Sequence, residues 1–323
     1  MQTPYFKLVE GYAKPNGYIG IGMHSWDKFQ EIRLQDGEAA RLLSNYAIPR
    51  EHPLVRRFVM AMRDEAILKE EFSYYHPETV RFENRFLGLS NGGGLMVLVY
   101  TCQALLGYGD DPEVVPFADI SYKAFESLLD IQSLDDTTQF KPHLKKAYNY
   151  PYIEENAYFP CQYHLETLAH TTSWRSPEKT ARLVRAIRHH DSIIKEDNQL
   201  QVKIKKHYYG PLCAYCRPFK AFDTTRTDIA LRKTITHLAM VGGRDIDVVR
   251  RSAEAVEEAL QTDGILRVTF ASPYKKAYFK RNMEFPGPYS EISLESHHKT
   301  DRAIWCELTF WAVQLLSLLD GTV

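Results

Sequence analysis

Two short cysteine motifs carry the most specific chemistry in the sequence: Cys161-Gln162-Tyr163-His164 and Cys213-Ala214-Tyr215-Cys216. Two residues between ligands is the spacing at which one turn or helix start presents both side chains to a tetrahedral ion. Cys161, His164, Cys213 and Cys216 together make a complete Cys3His set, for which zinc is the expected metal and an iron–sulfur cluster the alternative. A closed set would be structural, and an open three-ligand set with water would be catalytic. The same residues also read as a buried small thiol, a core histidine with both nitrogens satisfied, and an incidental or redox-active pair. Five cysteines is an odd number, and no basic segment followed by an apolar stretch opens the chain, so a disulfide framework is not expected.

Other titratable groups fall in neighbouring segments. Asp228 follows Thr227 at an expected helix start, where a carboxylate caps free N–H groups and also faces a cavity mouth. His297-His298 with Asp301 forms a candidate acid–base pair. Asp135, in Ser133-Leu134-Asp135-Asp136-Thr137, is a further candidate acid, and a turn with a helix cap accounts for the same residues. Asn91-Gly92-Gly93-Gly94 ahead of an apolar helix could cradle an anion on free N–H groups. Gly88-Leu89-Ser90-Asn91-Gly92 matches a serine-hydrolase elbow, but no parallel sheet is expected around it.

The elements that must position these residues come from a degenerate repeat. Four blocks read as helix, tight polar turn, helix: Leu42-Leu43 before His52-Pro53-Leu54; Ala104-Leu105-Leu106-Gly107 before Asp111-Pro112; Leu165-Glu166-Thr167-Leu168-Ala169 before Ser176-Pro177; and His237-Leu238-Ala239-Met240 before Asp245-Ile246-Asp247. Gly107 and Gly242-Gly243 suit helix C-caps, and Pro112 and Pro177 suit a first helical turn. The first helix of each block is continuously apolar and the second amphipathic, as expected of inner and outer helices. Connections of about thirty residues, 130–160, 195–226 and 261–299, fall between each outer helix and the next inner one, and would crowd one rim. Residues 264–270 read as a brief strand on that rim, and a last apolar helix runs from Ile304 to Leu319.

This pattern resembles the α/α toroids of the prenyltransferase and terpenoid-cyclase superfamily. Gln261-Thr262-Asp263-Gly264 resembles that superfamily's repeat ending Gln-x-x-Asp-Gly-x-Trp, one residue short and with Leu266 at the tryptophan position. The resemblance implies one all-α domain over 1–323, with 1–36 as an N-terminal extension and 37–323 as helix pairs. It implies an apolar or isoprenoid-like small molecule in a central cavity, and Asp135 at the catalytic-acid position of the cyclases. The first Asp of the cyclase motif and the Asp-x-Cys zinc pair of the protein prenyltransferases do not occur. The expectation is therefore an enzyme with Asp228, Asp135 and His297 as candidate catalytic residues. The alternatives are a non-catalytic toroid with a structural Cys/His metal site, and a carbohydrate-active barrel using paired carboxylates such as Glu83 and Asp228.

Composition excludes broad classes. With 40 Lys plus Arg against 41 Asp plus Glu, the formal charge is −1, which disfavours a nucleic-acid or anionic-lipid binder. No apolar run approaches the roughly 18 residues of a membrane span, and a cytoplasmic location is expected. No oligomeric state follows from the sequence.

Overall fold

The computed structural model describes residues 4–20, 36–73, 88–134, 141–142, 151–195, 200–204, 207–209, 214–224, 234–260, 262–268 and 300–321. Its described part is predominantly helical and divides into two compact units, Met1–Pro218 and Phe219–Val323.

In the first unit the helices are α1 (Pro4–Gly11), α2 (Asp36–Asn45), α3 (Pro53–Arg63), α4 (Glu65–Glu71), α5 (Met96–Gln103), α6 (Val115–Glu126), α7 (Gln162–Ala169) and α8 (Pro177–Ile193). In chain order α2 is followed by α3, α5 by α6 and α7 by α8, each across a turn. Every residue of α5 is buried, and all but the first of α7. By contrast, α8 buries one face through Leu183, Val184, Ala186, Ile187, His190 and Ile193. α2 packs on α5, α5 on α7, and α6 on both α7 and α8. The buried helices α2, α5 and α7 therefore lie side by side, with α3 against α5, α6 against α7, and α8 against α6.

Local chemistry sets the helix ends. Gly107 ends the α5 run with φ 83°, a conformation that costs glycine no Cβ clash. Ser176 accepts from the Lys179 N–H at 3.1 Å and Pro177 opens α8. Pro112 departs from expectation: it lies in the turn before α6, and Pro116 occupies that helix's first turn.

The long connections carry a small sheet the sequence did not announce: β1 (Lys141–Pro142), β2 (Pro151–Glu154), β3 (Gln201–Ile204) and β4 (His207–Tyr209), in that order. β2 pairs parallel with β3, Tyr152 opposite Gln201, so two of the long connections meet in one sheet. Leu128, Ile131, Leu134, Ile153, Phe159, Ile193, Ile194 and Leu200 form one buried cluster joining these connections to the ends of α6 and α8.

The second unit holds α9 (Thr236–Gly242), α10 (Asp247–Ala259) and α11 (Asp301–Leu319), with α9 and α10 both packed on α11. Of the expected strand 264–270, residues 264–268 are described, and Leu266 among them forms a bridge with Leu260. α11 is long and apolar enough by length and composition to cross a membrane, and it buries Ile304, Glu307, Leu308, Trp311 and Leu315.

Candidate functional site

The two cysteine motifs do approach each other. Cys161 forms an antiparallel bridge with Ala214, and the Tyr215 N–H donates to the Pro160 carbonyl at 3.1 Å. His190 of α8 anchors the same loop, its Nε2 lying 2.6 Å from the Tyr215 carbonyl oxygen.

The side chains, however, are engaged elsewhere. His164 Nδ1 accepts the Cys161 N–H at 3.1 Å, so the proton sits on Nε2, which donates to the Leu89 carbonyl at 2.6 Å. Burial pushes this imidazole down to about 4 and keeps it neutral. Both nitrogens of His164 are thus spent on the backbone. The Cys161 sulfur lies 2.8 Å from where a Cβ on Gly92 would stand, so the thiol fills the space that glycine leaves. Cys216 packs against the apolar cluster of the long connections, and burial pushes its thiol up to about 12. Among the described residues no three His, Cys, Asp or Glu side chains are grouped to hold a metal ion; Cys213 lies outside them.

The glycine-rich loop before α5 serves the same seam. Asn91 is fully buried, and its Nδ2 reaches the carbonyls of Glu154, Glu155 and Ala157 at 3.0, 3.1 and 3.0 Å. Its Oδ1 takes the Gly93 N–H at 3.0 Å, while the Gly94 N–H goes to the Gly88 carbonyl at 3.1 Å. Two of the N–H groups expected to face an anion are therefore used internally. Ser90 donates its hydroxyl to the Ala157 carbonyl at 2.9 Å, a role in loop packing rather than in an elbow.

A different set of ionisable groups meets between α2, α5 and α7. Asp36 opens α2 with 1% of its surface exposed. Its Oδ2 accepts from the Tyr18 hydroxyl at 2.6 Å and its Oδ1 from the Gly37 N–H at 2.7 Å. No cation pairs with it among the described residues. Arg41, whose charge acts on Asp36, is held in a two-bond fork by Glu166 of α7, Nε to Oε1 at 3.0 Å and Nη2 to Oε2 at 2.8 Å. Gln162 adds a third bond to Glu166 at 2.8 Å. Desolvation raises Asp36 to about 6 and outweighs the two hydrogen bonds and Arg41, which lower it; nearby Glu71 raises it further. Cys102 of α5 is buried in the same field and its thiol is pushed up, chiefly by desolvation and then by Asp36.

No family model, curated protein or solved structure matches the chain. The site must be read from its own chemistry.

Asp135, Asp228 and His297 lie outside the described residues, as do Glu83 and His298. Asp301 is the first residue of α11, behind a Thr300 cap that accepts the Ala303 N–H at 3.2 Å. Sequence reasoning missed Asp36 and Glu166. A signal existed: Asp36 lies four and seven residues before Ala40 and Leu43, on the apolar face of α2. Glu166 stands inside an otherwise apolar run, and Tyr18 carried no comparable mark.

Proposed function

We propose that the protein is an α/α-toroid enzyme of the prenyltransferase and terpenoid-cyclase type, acting on an apolar or isoprenoid-like small molecule, with Asp36 as its proton donor and acceptor. Support for the toroid comes from the succession α2, α5, α7 of buried helices flanked by amphipathic partners. The catalytic reading is carried by one observation: Asp36 is a buried carboxyl, raised to about 6, that no cation among the described residues pairs with. Holding it ionised at neutral pH opposes folding, and such groups collect at sites that use the proton. The Arg41–Glu166 fork fixes the charge beside it without neutralising it.

In this reading the Asp36 carboxyl gives its proton to one carbon of a C=C bond, and the resulting carboxylate takes a proton from a neighbouring carbon. The balance is isomerisation or cyclisation with no net change in composition. Phe58 and Phe72, edge-on to Tyr18 at 5.5 and 6.5 Å between centroids, supply π faces for a developing cation. Prenyl diphosphates and squalene-like polyenes incubated in D2O with the purified protein should give products carrying solvent deuterium. Asp36→Asn should lower that yield at least about 100-fold, as for loss of a general acid. Neither binding nor deuterium uptake across these substrates would overturn the reading.

A second reading, a non-catalytic toroid with a structural zinc on Cys161, His164, Cys213 and Cys216, draws support from the Cys161–Ala214 bridge. It requires His164 to exchange one backbone hydrogen bond for the metal. Elemental analysis of untagged protein decides it: about one zinc per chain, lost in Cys213→Ser, supports the site, and no metal removes it.

A further inference from the structure

Asp36 is kept from water partly by a short hairpin, residues 13–20, between α1 and α2. The hairpin is closed by the Ala13–Ile19 bridge, the Lys14 N–H donating to the Tyr18 carbonyl at 2.8 Å and the Gly20 N–H to the Tyr12 carbonyl at 3.2 Å. Gly17 turns it with φ 91°, where a Cβ would stand 3.0 Å from the Arg57 carbonyl oxygen. Gly20 leaves it at φ 76°.

Much of what holds the hairpin down is polar. Lys14 pairs with Glu71 of α4, Asn16 donates to the same carboxylate at 3.1 Å, and Arg57 of α3 reaches the Pro15 carbonyl at 3.4 Å. Its deepest anchor is Tyr18, fully buried, with its ring against Phe58 and Phe72 and its hydroxyl on Asp36. Among the described residues, the groups that act electrostatically on Asp36 are Tyr18 from the hairpin, Glu71 from α4 and Arg41 from α2. Cys102 of α5 and Glu166 of α7 lie in the same cluster.

We propose that the hairpin 13–20 is a proton-controlled flap, with Tyr18 as the plug: protonation of Asp36 favours the closed form, and ionisation of Asp36 favours lifting of Tyr18 and entry of water. The reason is linkage. Whatever state solvates Asp36 lets it ionise at its ordinary value of 3.8, whereas the closed state holds it at about 6. Ionisation therefore multiplies the open-to-closed ratio, by about 25-fold between pH 4.5 and 7.5 on those two values. Tyr18 itself stays a hydrogen-bond donor throughout, since burial and the adjacent carboxyl push its phenol up. The inference does not rest on Asp36 turning over a substrate.

Amide hydrogen exchange on the whole chain, followed by NMR from pH 4.5 to 7.5 and corrected for intrinsic rates, tests it. Protection of the Lys14 and Gly20 amides should fall about 25-fold over that range and be flat in Asp36→Asn. The Thr172 amide, bonded to Asp110 at 2.8 Å, serves as an internal reference and should hold steady. Flat or rising protection of Lys14 and Gly20 with pH in the wild-type chain would overturn the flap, with no variant needed. So would the same slope in Asp36→Asn. Absence of turnover leaves these outcomes unchanged, so the failure of the enzyme reading and of the flap are distinguishable.

Discussion

Asp36→Asn should uncover a pH dependence of stability that the wild-type chain conceals. Asp36 is raised from 3.8 to about 6, so its folded form holds a proton that the unfolded form releases. Its contribution is fully present below pH 3.8 and is lost as pH rises through 6. His164 is lowered from 6.5 to about 4, so unfolding takes up a proton that the fold refuses. Its contribution is present above pH 6.5 and is lost as pH falls through 4. At 1.36 kcal/mol per unit, each amounts to about 3 kcal/mol, and between pH 4 and 6.5 the two run in opposite directions. The wild-type chain should therefore show little net slope from this pair. With Asp36→Asn, which keeps shape and removes the titration, only the His164 term remains. The stability of the variant relative to wild type should rise by about 2 kcal/mol from pH 4 to pH 7. Urea unfolding of both proteins at pH 4, 5, 6 and 7, followed by circular dichroism, measures the difference. A flat difference, or one that falls with pH, would refute the desolvation argument for Asp36.

Three further outcomes are expected. Asn91→Ala removes the amide bonds to the Glu154 and Glu155 carbonyls and the acceptor of the Gly93 N–H and should cost about 2 kcal/mol in urea unfolding, although the Glu154 carbonyl keeps the Ala157 N–H. Glu166→Gln takes away the charge that the Arg41 fork meets and should also cost about 3 kcal/mol, with no compensating gain at any pH between 5 and 8. His190→Ala removes the bond to the Tyr215 carbonyl, so alkylation of Cys216, mapped by peptide mass, should become about tenfold faster as the loop opens more often.

The helix pairs were legible because each turn wrote its own chemistry into the sequence. Gly107 and Gly243 take positive φ at helix ends, and Pro177 opens α8 behind its serine cap. The contrast between fully apolar α5 and amphipathic α8 separated buried helices from flanking ones. β1 to β4 were not legible, because strands of two to four residues are too short for alternation to register. The site divided in the same way. Spacing singled out the Cys161 and Cys216 segments, and a bridge between Cys161 and Ala214 joins them. Spacing could not show that His164 spends both nitrogens on backbone groups from two different segments. Nor could it show that Asp36, in what read as an N-terminal extension, is buried against Tyr18 from a separate hairpin. That meeting depends on how α2 is seated on α5, which no local pattern encodes.

The most direct measurement is a carboxyl 13C NMR titration of the protein, with the Asp36 signal assigned by its disappearance in Asp36→Asn. A midpoint at about 6 is expected, because burial disfavours the carboxylate more than its hydrogen bonds and Arg41 favour it. A midpoint near the ordinary 3.8 would mean that Asp36 is solvated or paired, and the acid–base site with its flap would fall together.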